Sequence, residues 1–186
     1  MTTPALSLDE FRRQLLADGV ISRLDAVFTP LAGGVSSDIY RIEDAGKVFV
    51  AKRALPQLRV AATWFADIRH NRHEVAYLNR VRDIAPAHVP EVIFHNEEQG
   101  YFTMEHLGSE FQNWKTMLLA GQGEIGQASA AETLLGRIHR ATWNEAALHA
   151  EFDTTENFHD LRLEPYLLAT AERHPELRPL MLAEGE

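Results

Sequence analysis

Cysteine is absent from the 186 residues of this sequence. Disulfide bonds and thiolate metal sites are therefore excluded, and a reducing compartment is expected. No run approaches the roughly 18 uninterrupted apolar residues that a transmembrane helix needs. The opening residues, MTTPALSLDEFRR, lack the positive segment and apolar segment of a secretory signal. Together these absences predict a cytoplasmic protein with no membrane partner.

Basic residues are scarce. The chain has 18 Lys and Arg against 27 Asp and Glu, which gives a formal net charge of −9. Nucleic-acid binding depends on cations that release counterions from phosphates, so no nucleic-acid partner is expected. Hydrophobic content of 45% and charged content of 24% are those of a globular protein. A chain of this length can bury a core of its own.

The spacing of apolar residues predicts a short helix followed by a sheet. Ser7 and Glu10 form a capping box before an apolar pattern of helical period, and Gly19 is a suitable stop. Short alternating segments rich in β-branched and aromatic residues come next. They predict three antiparallel strands, at 23–31, 37–43 and 47–54.

The rest of the chain combines one long helix, two more strands and a helical region. The long helix is predicted at about 62–82, because apolar residues recur on one face and Pro86 follows. Two strands should flank the turn at 96–100. Candidate helices then lie at 110–120, 127–143 and 162–174. The predicted fold class is α+β, with an N-terminal helix at 1–22, a sheet-containing unit at 23–108 and a helical unit at 109–186.

The turn "AGGVSS" is rich in groups that can contact an anion. Gly33 and Gly34 can adopt positive φ, which lets backbone N–H groups approach a phosphate closely. Ser36 and Ser37 add hydroxyl donors. The alternative is a hairpin turn that binds nothing.

A lysine and a glutamate form the second pattern. Lys52 shares a strand face with the apolar Val48 and Val50, where a charged group needs an anionic partner. The alternative is an edge lysine whose ammonium reaches water. Glu74, on the predicted long helix, is the carboxylate that could meet Lys52 if the helix crosses the sheet. In isolation it would be a solvated surface residue.

Read together with "YFTMEHLG" at 101–108, these features resemble the N-terminal lobe of a protein-kinase-like fold. They are similar in particular to the aminoglycoside phosphotransferase family, which is related to choline and methylthioribose kinases. "LAGGVSSDIYRI" resembles the family loop L-x-G-G-x-S-N-x-x-Y-x-V, with Asp38 at the position of its frequent asparagine. The resemblance covers the chain after about Leu24.

The resemblance implies a kinase that uses ATP with Mg²⁺ to phosphorylate a small-molecule hydroxyl. The glycine–serine turn would cover the phosphates, and Lys52, held by Glu74, would contact the α- and β-phosphates. Residues 104–107 would be the hinge, where a carbonyl and an N–H bond adenine beside an apolar slot. The ATP-binding residues implied are Gly33, Gly34, Ser36, Ser37, Ala51, Lys52, Glu74, Met104, Glu105 and Leu107.

The family's catalytic motifs, H-G-D-x-x-x-x-N and a later D-x-D/E, do not occur in the sequence. His159 and Asp160 are a look-alike, but they are adjacent, and Pro165 stands where the asparagine is needed. We therefore expect an ATP-binding portion that stops before the catalytic loop, with no catalytic or metal-ligating residue of its own. Apolar helix surfaces left uncovered in the C-terminal part would favour self-association.

Two other functions are compatible with the sequence. One is a non-catalytic nucleotide-binding or regulatory module that has a kinase-like lobe. The other is an interaction domain whose glycine turn and lysine bind no ligand.

Three further patterns carry weaker signals. "GQGEIG" at 121–126 matches G-x-G-x-x-G literally, but it follows a predicted helix rather than a strand, so a loop between helices is expected. His70 and His73 could share a metal, although no third ligand has a suitable spacing. Arg162 is either a salt-bridged surface residue or a substrate contact.

Overall fold

The computed structural model describes residues 6–31, 34–61 and 63–183. The strands are β1 (Val27–Pro30), β2 (Ser37–Asp44), β3 (Lys47–Ala54), β4 (Val92–Asn96) and β5 (Tyr101–Glu105). The helices are α1 (Leu8–Ala17), α2 (Asn71–Ile84), α3 (Trp114–Leu119), α4 (Ile125–Thr142), α5 (Ala146–Glu151), α6 (Thr155–Phe158), α7 (Ala169–Arg173) and α8 (Arg178–Ala183). The fold class is α+β, as predicted.

The five strands form one antiparallel sheet in the order β1-β2-β3-β5-β4. The predicted sheet is therefore confirmed, but β1 begins four residues later than the predicted strand. Before it, the carbonyls of Leu24 and Ala26 accept hydrogen bonds from the Arg12 side chain at 3.0 and 2.7 Å. Ser22 donates its backbone N–H to Asp44 at 2.7 Å. The backbone before β1 therefore forms hydrogen bonds with side chains and not with the backbone of β2.

Helix α1 covers one face of the sheet. It has the predicted capping box, and Gly19 follows it with φ of 70°. Phe11 and Leu15 are fully buried against sheet residues that include Ile42 and Tyr101. Helix α1 therefore shares its core with the sheet.

Helix α2 covers the opposite face, and the prediction was wrong about its start. A 3₁₀ turn at Ile68–His70 precedes it, and α2 itself begins at Asn71. In the preceding loop, 56–66, which is described except for residue 62, Gln57 and Phe65 form an antiparallel bridge. Asp67 accepts the backbone N–H of Arg69 at 2.9 Å, so this aspartate caps the helical turn. The helix ends at Ile84, just before proline, as expected.

A buried amide fixes the first turn of α2 against the sheet. The Asn71 side chain is 1% exposed and donates to the carbonyl of Gly100 at 2.7 Å. The same carbonyl accepts the N–H of Ala54, at the end of β3, at 2.9 Å. One carbonyl in the turn between β4 and β5 thus joins α2 and β3, the two elements that carry Glu74 and Lys52.

The C-terminal part is helical, as predicted, but one segment has an unusual geometry. Residues His159–Leu168 form a π-helical segment that contains Pro165. The hydrogen bonds of a π-helix join residues five positions apart, whereas proline disrupts the bonds of an α-helix, which join residues four positions apart. Trp64 donates its indole N–H to the carbonyl of Asp160 at 2.9 Å, which joins the segment to the 56–66 loop. Among the described residues, no helix has the length and apolarity to cross a bilayer.

Candidate functional site

Lys52 and Glu74 form the ion pair that the sequence predicted. The Lys52 ammonium lies 2.6 Å from both carboxylate oxygens of Glu74. The side chains are 20% and 38% exposed, so the pair lies partly sheltered between β3 and α2. Lys52 is opposite Ile39 on β2 and Phe102 on β5, which surrounds its stem with apolar neighbours. The carboxylate restrains an ammonium group that would otherwise rotate freely.

The glycine–serine turn lies beside this pair and is anchored to the segment after β3. The carbonyl of Ser36 accepts the N–H of Leu55 at 2.9 Å, and the carbonyl of Val35 accepts the N–H of Arg59 at 2.8 Å. Ser37 is 7% exposed. Gly34 has open space where a Cβ would stand. Gly33 lies outside the described residues.

Asp38, which follows the serines, has a structural role. It is buried and receives hydrogen bonds from Arg53, at 2.6 Å, and from Arg59. Arg53 in turn lies over the Phe11 ring, 4.5 Å from its centroid. Asp38 and Arg53 are opposite each other in the strand register, on the α1 side of the sheet. Asp38 therefore braces the turn from behind and does not face Lys52.

Four of the predicted residues line a single cavity of about 580 Å³. They are Ser36, Ser37, Lys52 and Glu74. Trp64 from the 56–66 loop also lines it. The fold thus brings the glycine–serine turn, the strand lysine and the helix glutamate to one place, although they lie far apart along the chain.

The other wall of this cavity comes from the C-terminal helical part. Arg162 and Tyr166 of the π-helical segment and Arg173 of α7 line it. Arg162 was a candidate substrate contact from the sequence. Arg173 was missed, because a charged residue near a helix end carries no local signal for a cavity built by distant segments.

Ala51 does not line the cavity, and its predicted position was wrong. Successive strand residues face opposite sides of a sheet, so Ala51 and Lys52 cannot share a face. Ala51 is 0% exposed and belongs to the core cluster beneath α1. The side chain of Val50, and not that of Ala51, points to the sheet face that carries Lys52. The alternation of side chains along β3 was sufficient to predict from the sequence that Ala51 faces away from Lys52.

The predicted hinge lies at the end of β5, apart from the cavity lining. Met104 is opposite Val50 in the register, which places it on the same sheet face as Lys52. Glu105 donates its backbone N–H to the carbonyl of Glu91 at 2.8 Å. Leu107 is 42% exposed. The cavity lining described above contains none of the hinge residues.

Within the described ranges, His70 and His73 do not meet a third ligand group. The Nδ1 atoms of His70 and His73 face the backbone carbonyls of Asp67 and Glu151. A different group places ligand atoms within 4.8 Å of one another, namely His159, Asp160 and Glu164. His159 is exposed, and Asp160 is half-buried; acidic groups of this kind commonly occur without an ion.

The capping aspartate before α2 has a lowered pKa. Hydrogen bonds from Arg69 hold the pKa of Asp67 below its usual value, and they outweigh its partial burial. Asp67 therefore stays ionised at neutral pH and continues to cap the turn before α2.

Comparison with known proteins gives no assignment, since no protein-family model and no curated protein matches the chain. The chemistry available to the site is therefore inferred from its own residues.

Proposed function

We propose that this chain supplies the ATP-binding part of an ATP-dependent phosphotransferase of the aminoglycoside phosphotransferase type. Its acceptor would be a small-molecule hydroxyl. The observation that carries the proposal is the Lys52 ammonium, held 2.6 Å from both oxygens of Glu74 and next to Ser36 and Ser37 in one cavity.

The chemistry of phosphoryl transfer explains why such a pair is useful. The reaction depends on positioning the phosphates and neutralising their charge, rather than on covalent chemistry by the protein. A lysine that is already oriented by a carboxylate offers its charge without a further loss of side-chain freedom. Lys52 would contact the α- and β-phosphates, while Ser36 and Ser37 would donate hydroxyl hydrogen bonds.

The charge of the cavity supports an anionic ligand. Its lining contains the cations Lys52, Arg162 and Arg173 against one carboxylate, that of Glu74, which Lys52 already neutralises in part. This local excess of positive charge occurs in a chain of formal net charge −9. A cationic cavity in an acidic protein favours an anion such as a phosphate chain.

The base of the nucleotide would lie toward the hinge. Met104 and Val50 share the Lys52 face and would provide an apolar slot, with Val50 in place of Ala51. The backbone at Glu105 and Leu107 would bond adenine. Mg²⁺ would accompany the phosphates, although this sequence lacks the H-G-D-x-x-x-x-N motif that supplies a metal ligand in the resembled family.

Calorimetric titration with Mg·ATP tests the proposal. Lys52→Ala should weaken ATP binding by about tenfold to a hundredfold, since a charge-assisted hydrogen bond contributes roughly 1.5–3 kcal/mol. Lys47→Ala is the matched control, because Lys47 lies on the same strand and is exposed. It should bind ATP like the wild type. Equal affinity for all three proteins, or no binding by the wild type, would reject the proposal.

The absent catalytic motif favours a second candidate, a non-catalytic nucleotide-binding or regulatory module. Both candidates predict ATP binding by this chain. Sequencing the coding region beyond Glu186 distinguishes them. An H-G-D-x-x-x-x-N segment within a few tens of codons supports the enzyme, and a stop codon directly after Glu186 supports the module.

A further inference from the structure

Two arginines from the C-terminal part face the same cavity as Lys52. Arg162 lies in the π-helical segment, and Arg173 is the last residue of α7. Both line the cavity together with Ser37 and Lys52 of the sheet. The cavity therefore has cations on two walls that come from opposite ends of the chain.

Among the described residues, no carboxylate pairs with either arginine. Arg53 and Arg59 share the carboxylate of Asp38, but Arg162 and Arg173 form no ion pair with any carboxylate of the described residues. The polar contact of Arg162 is with the neighbouring carbonyl of Leu161, at 2.8 Å. Guanidinium groups recognise phosphate oxygens through pairs of parallel hydrogen bonds, so two unpaired ones beside a restrained lysine suit a polyanion.

The wall that carries the arginines is held in place independently of any ligand. The Trp64 indole donates to the carbonyl of Asp160 at 2.9 Å, two residues before Arg162. Ala171, two residues before Arg173, is 2% exposed and packs into the helical part. The two arginines are thus attached to anchored backbone on either side of the cavity-lining Tyr166.

A third feature of the cavity is a sheltered hydroxyl on the sheet wall. Ser37 is 7% exposed yet lines the cavity. Its hydroxyl has no hydrogen bond to another described residue, so it can donate to a ligand oxygen. The sheet wall would thus offer an ammonium and a hydroxyl, and the helical wall two guanidinium groups.

We infer that Arg162 and Arg173 bind the phosphate chain of the ligand from the helical wall, while Lys52 and Ser37 bind it from the sheet wall. The preferred ligand is then a molecule with two or more linked phosphates, and much of its affinity comes from that chain. This inference rests on the proposed function for the identity of the nucleotide, but the phosphate contacts can be tested without a base.

Calorimetry with inorganic tripolyphosphate, and separately with Mg·ATP, provides the test. Arg162→Gln and Arg173→Gln should each weaken tripolyphosphate binding by about fivefold to tenfold, and the double variant should weaken it further. Glutamine keeps most of the aliphatic stem and removes the charge. Arg140→Gln is the matched control, since Arg140 is exposed on α4 and does not line the cavity. Circular dichroism establishes that each variant is folded.

The outcomes separate this inference from the proposed function. If Lys52→Ala weakens ATP binding while both arginine variants bind like the wild type, the inference is overturned and the nucleotide proposal stands. If tripolyphosphate binding depends on Arg162, Arg173 and Lys52 but ATP binds no more tightly than tripolyphosphate, the inference stands and the nucleotide proposal fails. Absence of tripolyphosphate binding by the wild type overturns the inference outright.

Discussion

On the α1 side of the sheet, the half-buried carboxylate of Asp18 is the centre of a hydrogen-bond network that includes the buried Tyr101. The carboxylate of Asp18 accepts hydrogen bonds from Gln14 at 3.0 Å, from Asn96 at 2.9 Å and from the Tyr101 hydroxyl. Partial burial raises the pKa of Asp18, but these hydrogen bonds outweigh burial and hold the pKa below its usual 3.8. Burial, together with the bond to Asp18, raises the pKa of Tyr101, so the phenol stays neutral and donates.

This network predicts a pH-dependent stability. Because the folded pKa of Asp18 is lowered, its stabilisation is fully present above about pH 4 and is lost as the pH falls through the folded pKa. Tyr101→Phe should therefore reduce the free energy of unfolding by about 2 kcal/mol at pH 7. The deficit should shrink as the pH falls through the folded pKa of Asp18, which lies below its usual 3.8. Urea unfolding at several pH values measures it.

Tyr166→Phe is the control for this experiment, because Tyr166 is 67% exposed and makes no such bond. It should unfold like the wild type at every pH. A Tyr101→Phe deficit that stays constant from pH 7 down to the acid unfolding of the protein would mean that the bond to ionised Asp18 contributes nothing specific.

At the scale of elements, the placement of α2 depends on the turn between β4 and β5. Gly100 has φ of 63°, and a Cβ there would lie 2.7 Å from the Cβ of Ile68, just before α2. Gly100→Ala should therefore combine backbone strain with a steric clash and cost about 2–4 kcal/mol of unfolding free energy. Since the displaced helix carries Glu74, ATP affinity should fall as well.

Gly19→Ala separates the two contributions to that cost. Gly19 has a similar φ of 70°, but nothing lies within 4 Å of its added Cβ. It should cost only about 1 kcal/mol from the strained backbone. Chemical denaturation of both variants gives the comparison. Equal losses would show that contact with Ile68 does not fix the start of α2.

The sequence was sufficient for the sheet and α1, because their signals are local. Alternation, turn residues and the capping box of Ser7 and Glu10 each act within a few positions of the element that they define. The start of α2 was missed because Phe65 fits a helical apolar pattern, although it pairs with Gln57 in a bridge. The capping signal of Asp67 was the better guide.

Part of the candidate site, likewise, could be predicted from the sequence and part could not. The pairing of Lys52 with Glu74 could be predicted because each residue stands at a recognisable position in its element. Ala51 was misplaced even though strand alternation determines its face. Arg173 could not be predicted, since its place in the cavity depends on how the C-terminal helices pack against the 56–66 loop. No local pattern encodes that contact.

At the scale of the whole molecule, the C-terminal helices leave large apolar side chains uncovered. Ile125 is 92% exposed, Leu119 80% and Trp143 77%. Exposed large apolar side chains favour association where they form a patch. We expect the protein to sediment above its monomer mass of 21.0 kDa at tens of micromolar concentration.

Substitutions locate the associating surface. Leu119→Glu and Ile125→Glu should each return the protein toward the monomer, because a charge cannot be buried there without a partner. Leu24→Glu, outside the C-terminal helices and 48% exposed, is the control and should leave association unchanged. A wild-type protein that sediments as a stable monomer would contradict the expectation.

The central claim is that Lys52, held by Glu74 beside the glycine–serine turn, forms a nucleotide phosphate site. Mapping backbone amide chemical shifts during a titration with Mg·ATP tests it most directly. The account predicts that the largest changes occur at 34–37, at Lys52 and its neighbours, and at 104–107. Changes confined to other surfaces, or none at saturating nucleotide, would contradict it.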